Sequence, residues 1–372
     1  MSDLSDSLED TLKRPRARPN PAPVAPVAPV APVAPVSAAG RLIGFARRNR
    51  RAVQVVVMLM IAVFVAIAIW KSWSNLEGYQ WNIQWGLLVV GFLLLIAQEL
   101  SFALIWRSIL RRLGSRLDAV AAERIYLSAE FVRYIPGNVW HVITRVLLAE
   151  QRGVPKPIGF ASMVIELATK ILSAALVFAV TLLFWPSLAS LTTQTHIPQQ
   201  AAIIGGVVAI PLLLLGLYPP LLETLLNTGL RLLKRGPTRL TLSYLDLLTI
   251  TLLWSLSWVV AGIGFYLITR SIVTTPLPPT ALALSIGIYA LGWDIGFLSF
   301  VTPSGIGFRE LAIAFLLVWG GMTLGGDALA IGFVVAFISR MLATGSEMVS
   351  ISVAYLLSGR RLPSVPAEGG GA

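Results

Sequence analysis

Residues 294–310 read DIGFLSFVTPSGIGFRE, and this stretch decides the fold. An apolar segment that carries Asp294 runs into TPSGIG at residues 302–307 and resumes through Arg309 and Glu310. Proline removes a backbone donor and glycine favours a turn, so the pattern predicts a helix, a break and a second helix. The segment is too apolar for a soluble surface, so the break is expected to lie at membrane depth, buried in protein or lining water.

The composition of the 372-residue chain is that of a membrane protein, because 56% of its residues are hydrophobic and only 13% are charged. Soluble domains carry about 25% charged residues. The net charge of +11 comes from Lys and Arg that flank apolar runs, which indicates membrane topology and not nucleic-acid binding. The chain has no cysteine and two histidines, so no metal site and no cofactor are expected.

A second interrupted segment lies at residues 119–151, which are helical in pattern but too charged for an ordinary span. Its centre, residues 133–140, reads RYIPGNVW, and the Pro-Gly-Asn run predicts a break between two helices. Basic residues on both flanks indicate that the segment enters and leaves on the cytoplasmic side.

The remaining apolar runs predict a polytopic, all-α membrane bundle with both termini in the cytoplasm. An even number of crossings then requires that both broken segments are re-entrant, one from each side of the membrane. The two units built around them have opposite orientations, which predicts an inverted repeat. The six full spans are expected at about residues 52–70, 86–106, 158–185, 201–218, 243–268 and 327–357.

Three regions are predicted along the chain. Residues 1–40 are rich in a Pro-Val-Ala repeat and are expected to form a disordered or stiff cytoplasmic tail. Residues 41–361 form the transmembrane domain, in which residues 219–242 are expected to be an interfacial amphipathic helix. Residues 362–372 are a short disordered tail.

The broken helices and the buried charges predict a binding site for an anionic, phosphate-bearing lipid. A helix that starts at a break exposes free N–H groups and partial positive charge, and guanidinium groups suit phosphate oxygens. Two alternatives remain open, namely arginines that only anchor loops at headgroup level and ion pairs that only hold helices together. The predicted binding residues are Arg133, Pro136, Gly137, Asn138, His141 and Arg145 at the first break, Pro303, Ser304, Gly305, Gly307, Arg309 and Glu310 at the second, and Glu166, Lys170, Asp294 and Arg340 within spans.

The sequence resembles a known family of membrane proteins. The resemblance rests on RYIPGNVW at residues 133–140, PSGIGFRE at residues 303–310, and Arg145, Glu166 and Arg340. The family is the flippase-like family that includes the transmembrane region of lysylphosphatidylglycerol synthases. The resemblance implies a protein of the plasma membrane that moves, or helps to move, an anionic or modified lipid, such as an anionic phospholipid or a polyprenyl-phosphate-linked lipid, between leaflets. A homo-oligomer is possible in such a family.

The chain also departs from that family, and three functions stay open. In the synthases a soluble aminoacyl-transferring domain follows the membrane region, whereas this sequence stops soon after Arg361, so lipid aminoacylation and enzyme activity are not expected. The second motif reads Pro-Ser-Gly where the family often has Pro-Gly-Gly. The first function is lipid translocation without a catalytic residue. The alternatives are an intramembrane lipid-modifying enzyme, using His141 with Glu130 or Glu150, and a non-transporting scaffold of a cell-envelope pathway.

Overall fold

The computed structural model describes residues 81–131, 140–185, 199–232, 241–299, 305–325 and 327–357. These ranges contain ten α-helices and no strand, which confirms the all-α fold class. The helices are α1 (Trp85–Arg112), α2 (Ala119–Phe131), α3 (Trp140–Glu150), α4 (Lys156–Thr181), α5 (Gln199–Gly216), α6 (Pro219–Leu232), α7 (Tyr244–Ile272), α8 (Ala281–Leu298), α9 (Phe308–Trp319) and α10 (Ala328–Leu357).

Five of these helices, α1, α4, α7, α8 and α10, are long and apolar enough to cross a membrane. A sixth candidate is α5 together with α6, two helices that meet at a bend of 63°. This confirms a polytopic helical bundle. Five of the predicted spans coincide with a helix, and α1 continues beyond its predicted end to Arg112. The predicted span at residues 52–70 and both predicted tails lie outside the described residues.

The predicted interfacial segment, residues 219–242, begins as a helix. Its described helical part is α6, which ends at Leu232 and carries Leu222 and Leu226 buried one turn apart. Residues 233–240 lie outside the described residues.

Both broken segments are helix pairs whose arms pack against each other. In the second pair, Gly296 of α8 faces Arg309 of α9 and Gly292 faces Ile313, so the two helices run antiparallel. The arms α2 and α3 have 13 and 11 residues, about 20 and 17 Å at 1.5 Å per residue, too short to cross a ~30 Å core.

The two hairpins differ in the lengths of their arms, which the sequence did not predict. Helix α8 has 18 residues, about 27 Å, and is long and apolar enough to cross the membrane by itself. Its partner α9 has 12 residues, about 18 Å. The second hairpin therefore has one arm of nearly full membrane length, whereas both arms of the first hairpin are short.

Helices α1 and α7 pack antiparallel along their whole length. Close contacts occur at both ends and in the middle, where Ser101 Oγ lies 2.8 Å from Ser257 Oγ. Gly91 and Gly264 meet so closely that a Cβ on either would lie within about 3 Å of the other's carbonyl oxygen (2.9 and 3.0 Å). Small residues at such a crossing let the backbones approach, which is how helices associate in lipid.

The packing around this helix pair repeats with inverted direction. Helix α8 packs on α4 as α2 packs on α10, and α7 packs on α4 as α1 packs on α10. Each hairpin also packs against the long helix before it and the long helix after it. When α1, α2, α3 and α4 are replaced by α7, α8, α9 and α10, and the reverse, the same pairs of helices are in contact. The described residues therefore show the inverted repeat that the sequence predicts.

The turn of the second hairpin depends on glycine. Gly305 and Gly307 have φ values of +67° and +90°, which side chains rarely adopt. A Cβ on Gly305 would lie 2.2 Å from the carbonyl oxygen of Gly296, so the turn presses directly on the backbone of α8. The two arms of this hairpin are therefore held by a backbone contact that no other residue type allows.

We predict that Gly305→Ala destabilises the protein by more than about 1 kcal/mol, because alanine is strained at positive φ and its methyl group overlaps α8. Thermal unfolding in detergent micelles measures the loss. Gly86→Ala is the matched control, since a Cβ there meets nothing within 4 Å. Equal unfolding temperatures for the two variants would show that the hairpin turn is not held in this way.

Candidate functional site

Arg145 is the centre of a buried ion cluster in the first half. Its guanidinium Nη1 donates to Glu166 Oε2 at 2.6 Å, and its Nη2 donates to Glu130 Oε1 at 2.5 Å. The Tyr126 hydroxyl donates to the other oxygen of Glu166 at 2.8 Å, and the guanidinium lies 3.8 Å from the Tyr126 ring centroid. Arg145 is 1% exposed, so this cluster ties α2, α3 and α4 together out of reach of solvent.

The second half has a corresponding ion pair with the charges exchanged. Arg145 of α3 pairs with Glu166 of α4, whereas Glu310 of α9 accepts from Arg340 Nη1 of α10 at 3.4 Å. The second oxygen of Glu310 accepts from the Gly307 backbone N–H at 2.6 Å, which caps the first turn of α9. In both halves the second hairpin arm is thus linked to the next long helix by a carboxylate and a guanidinium, which are buried in the first half and partly buried in the second.

Because Glu310 and Arg340 form that link, Arg309 takes no part in it. It is 7% exposed, and its Nε and Nη2 have no hydrogen-bond partner in the structure's described part. Its guanidinium carbon lies 4.8 Å from the Tyr289 ring centroid, and its stem runs along Gly292 and Gly296 of α8, where it has room because these residues lack side chains. Buried donors without acceptors are costly, so the arrangement around Arg309 calls for an explanation.

Lys170 lies in a cage of aromatic rings at the meeting of four helices. Its ammonium nitrogen is 3.6 Å from the Phe102 ring centroid, 4.5 Å from that of Trp293 and 4.8 Å from that of Trp254. These rings come from α1, α8 and α7, while Lys170 belongs to α4. Cation–π contacts of this kind are worth about 2 kcal/mol or more when desolvated, which offsets part of the cost of burying the charge.

Asp294 lies on α8 next to this cage. It is 4% exposed, and its Oδ1 has no hydrogen-bond partner in the described structure. The positive charge of Lys170 interacts electrostatically with the Asp294 carboxylate. His141 is half-buried at the start of α3. The two carboxylates that a catalytic role for His141 would use are engaged, since Glu130 binds Arg145 and Glu150 binds Lys156 at 3.0 Å.

The structure separates the predicted site residues into three groups. The first group is the buried ion cluster with Arg145 and Glu166. The second lies at the second hairpin and consists of Arg309, Glu310 and Arg340. The third lies between the two halves and consists of Lys170 and Asp294. The sequence pattern that placed Glu166 and Lys170 on one helical face did not predict that their side chains serve different clusters. The predicted residues Arg133, Pro136, Gly137, Asn138, Pro303 and Ser304 lie outside the described residues.

Sequence reasoning missed several partners in these groups. Tyr126 and Tyr289 each lie under an arginine of the opposite hairpin arm, and Phe102, Trp254 and Trp293 form the cage. Aromatic residues are common in membrane helices, so their sequence positions carry no signal by themselves. The usable signal was a tyrosine shortly before each buried acid, Tyr126 four residues before Glu130 and Tyr289 five residues before Asp294.

The fold and the site define a class: polytopic membrane proteins built as an inverted repeat, with broken-helix hairpins that bring charged groups into the bundle. Residues 52–344 match the family described as the lysylphosphatidylglycerol synthase TM region, and the chain belongs to that family. The family places the protein in a lipid-related context. Comparison with curated proteins and with solved structures finds no match for this chain.

We predict that Arg145→Met lowers the free energy of unfolding by about 3–5 kcal/mol, because it leaves the carboxylates of Glu130 and Glu166 buried without their cation. Combining Arg145→Met with Glu130→Gln and Glu166→Gln should recover most of that loss, since no uncompensated charge remains. Chemical denaturation in mixed micelles measures both. Lys156→Gln is the control, because its pair with Glu150 is exposed and worth at most about 1 kcal/mol. A triple variant no more stable than Arg145→Met would refute the charge-balance account.

Proposed function

We propose that this protein moves, or helps to move, an anionic phosphate-bearing lipid between membrane leaflets, with Arg309 as the anion-binding group. The observation that carries the proposal is the buried guanidinium of Arg309, whose Nε and Nη2 lack partners in the described structure. Its counterpart in the first half, Arg145, is engaged by two carboxylates. A buried arginine that pairs with no carboxylate among the described residues is suited to reversible binding of an anion.

The surroundings of Arg309 favour a phosphate. Guanidinium groups bind phosphate oxygens in pairs, and Nε with Nη2 presents two donors along one edge. Arg309 lies in the first turn of α9, where backbone N–H groups and the helix dipole also attract an anion.

The inverted repeat supports movement across the membrane and not only binding. In transporters built from such repeats, broken helices bind substrate near the bilayer midplane, and one repeat rocks against the other. Here the hairpin that carries Arg309 belongs to one half and packs on α4 of the other half. The lipid tails would stay in the bilayer while the headgroup passes between the halves.

The setting of this activity is part of the proposal. We place the protein in the plasma membrane with both termini in the cytoplasm, because basic residues flank the cytoplasmic ends of its spans. The ligands are anionic phospholipids or polyprenyl-phosphate-linked lipids. The sequence contains no phosphate-binding loop of the ATPase type, so movement is passive or driven by an ion gradient, without covalent chemistry.

We predict that Arg309→Gln slows leaflet exchange of a labelled anionic phospholipid at least tenfold, because the variant keeps a polar side chain but loses the guanidinium and its charge. The assay uses purified protein in liposomes, with dithionite quenching of the outer-leaflet label. The matched control is Arg270→Gln, an exposed arginine at the end of α7. Labelled anionic phospholipid and labelled polyprenyl phosphate are assayed separately.

Two results would contradict this proposal. The wild-type protein could fail to accelerate exchange of either lipid class, or Arg309→Gln could match Arg270→Gln. Equal rates in folded variants would favour a scaffold role, because a scaffold tolerates substitution of Arg309. A changed lipid product in the liposomes would instead favour a lipid-modifying enzyme.

A further inference from the structure

The buried acid of the second hairpin is in a different situation from its counterpart in the first. Glu130 of α2 and Asp294 of α8 both lie on the first hairpin arm, four residues after Tyr126 and five residues after Tyr289. Glu130 is neutralised by Arg145 at 2.5 Å. Asp294 has an Oδ1 that is buried and without a hydrogen-bond partner in the part of the chain that the structure describes.

Arg309 does not neutralise Asp294, because the two face different sides of α8. The stem of Arg309 runs along Gly292 and Gly296, and Asp294 lies two residues from each. Two residues correspond to a rotation of about 200° around a helix. Asp294 is therefore on the side of α8 away from Arg309, beside the cage of Lys170.

The charged and titratable groups around Asp294 can be named from every element that packs on α8. Helix α4 contributes Lys170, whose charge acts on Asp294, and Glu166 one turn earlier, which is bound to Arg145. Helix α9 contributes Arg309 and Glu310, on the other side. Helix α7 faces this region with the rings of Trp254 and Trp258, and the short turn Leu182–Phe184 has no charged residue.

We infer that Asp294 is a proton-binding site whose occupation controls the contact between the second hairpin and the opposite half of the repeat. A proton from bulk water forms an O–H bond at the free carboxylate oxygen and converts the anion to a neutral acid. The ionised form attracts the Lys170 ammonium and holds α8 on α4, whereas the neutral acid releases that attraction. This inference rests on the proposed function where it couples the proton to lipid movement.

A proton fits this position better than a metal ion. Sodium and divalent cations require several oxygen ligands, whereas the cage beside Asp294 is built from aromatic rings around the Lys170 ammonium. Among the described residues no group of three or more acidic or histidine side chains could hold a metal. The ammonium of Lys170 would also repel a second cation, but it accepts a neutral acid beside it.

Asp294 and Lys170 lie in different halves of the repeat, so a proton on Asp294 would affect the contact between the halves. Asp294 belongs to the second half of the repeat, and Lys170 belongs to the first. When two repeats rock against each other, contacts between them are the ones that must break and re-form. Ionisable residues inside membrane bundles commonly serve as proton relays for such movements.

The direct test is infrared difference spectroscopy of the purified protein between pH 5 and pH 9. We expect a carbonyl stretch of a protonated carboxylic acid that titrates in this range and is absent in Asp294→Asn. Glu150→Gln, which alters an exposed acid, should retain the band. Lys170→Gln should retain the band to higher pH, because the ammonium that favours the ionised form is gone. A folded wild-type protein without a titrating band that depends on Asp294 would overturn the inference.

A second measurement links the proton to transport. In proteoliposomes, a pH gradient should change the rate of anionic lipid exchange at least threefold in wild type, and the rate of Asp294→Asn, whatever its level, should not vary with pH. Replacing sodium by choline should have no effect, and a sodium requirement would overturn the proton assignment. Exchange that ignores pH would refute the coupling and leave the proposed function intact. A titrating band without any exchange would refute the proposed function and leave the proton site intact.

Discussion

The antiparallel contact between α1 and α7 is the constraint on which the rest of the structure depends. Its backbones meet at Gly91 and Gly264, where either added Cβ would come within about 3 Å of the opposite carbonyl oxygen (2.9 and 3.0 Å). Close approach replaces the hydrophobic driving force that lipid does not supply between helices. Because these two helices are antiparallel, the elements that follow each of them in the sequence run in opposite directions. The two hairpins then enter the bundle as inverted equivalents, and their charged groups fall at related positions.

The halves use related positions for different purposes. Each half links its second hairpin arm to the next long helix with a carboxylate and a guanidinium, but the charges are exchanged between Arg145–Glu166 and Glu310–Arg340. That exchange has a chemical consequence, because it leaves Arg309 free of the structural role that Arg145 performs. The first half is thus closed around its own carboxylates, while in the second half Nε and Nη2 of Arg309 have no hydrogen-bond partner among the described residues.

Hydropathy and the two breaks were enough to predict the bundle, the hairpins and the inverted repeat. They predicted these well because a broken helix at membrane depth leaves few arrangements that satisfy its backbone. The charged residues were also found, because a charge inside a span is expensive and therefore conspicuous. Their partners were not predictable: the i, i+4 spacing of Glu166 and Lys170 says nothing of Arg145 or the ring of Trp293 from other helices. The break at residues 302–307 predicts a single re-entrant unit over residues 280–320, whereas α8 alone is long and apolar enough to cross the membrane.

The central claim is that the two halves lie in opposite orientations across the membrane. The natural absence of cysteine makes it directly measurable, because single cysteines can be introduced without background. Gln151 follows the first hairpin and Leu324 follows the second, and both are exposed. In spheroplasts treated with a membrane-impermeant maleimide, Leu324→Cys should be labelled from outside, and Gln151→Cys should be labelled only after lysis. Labelling of both positions from the same side of the membrane would contradict the inverted repeat and the mechanism built on it.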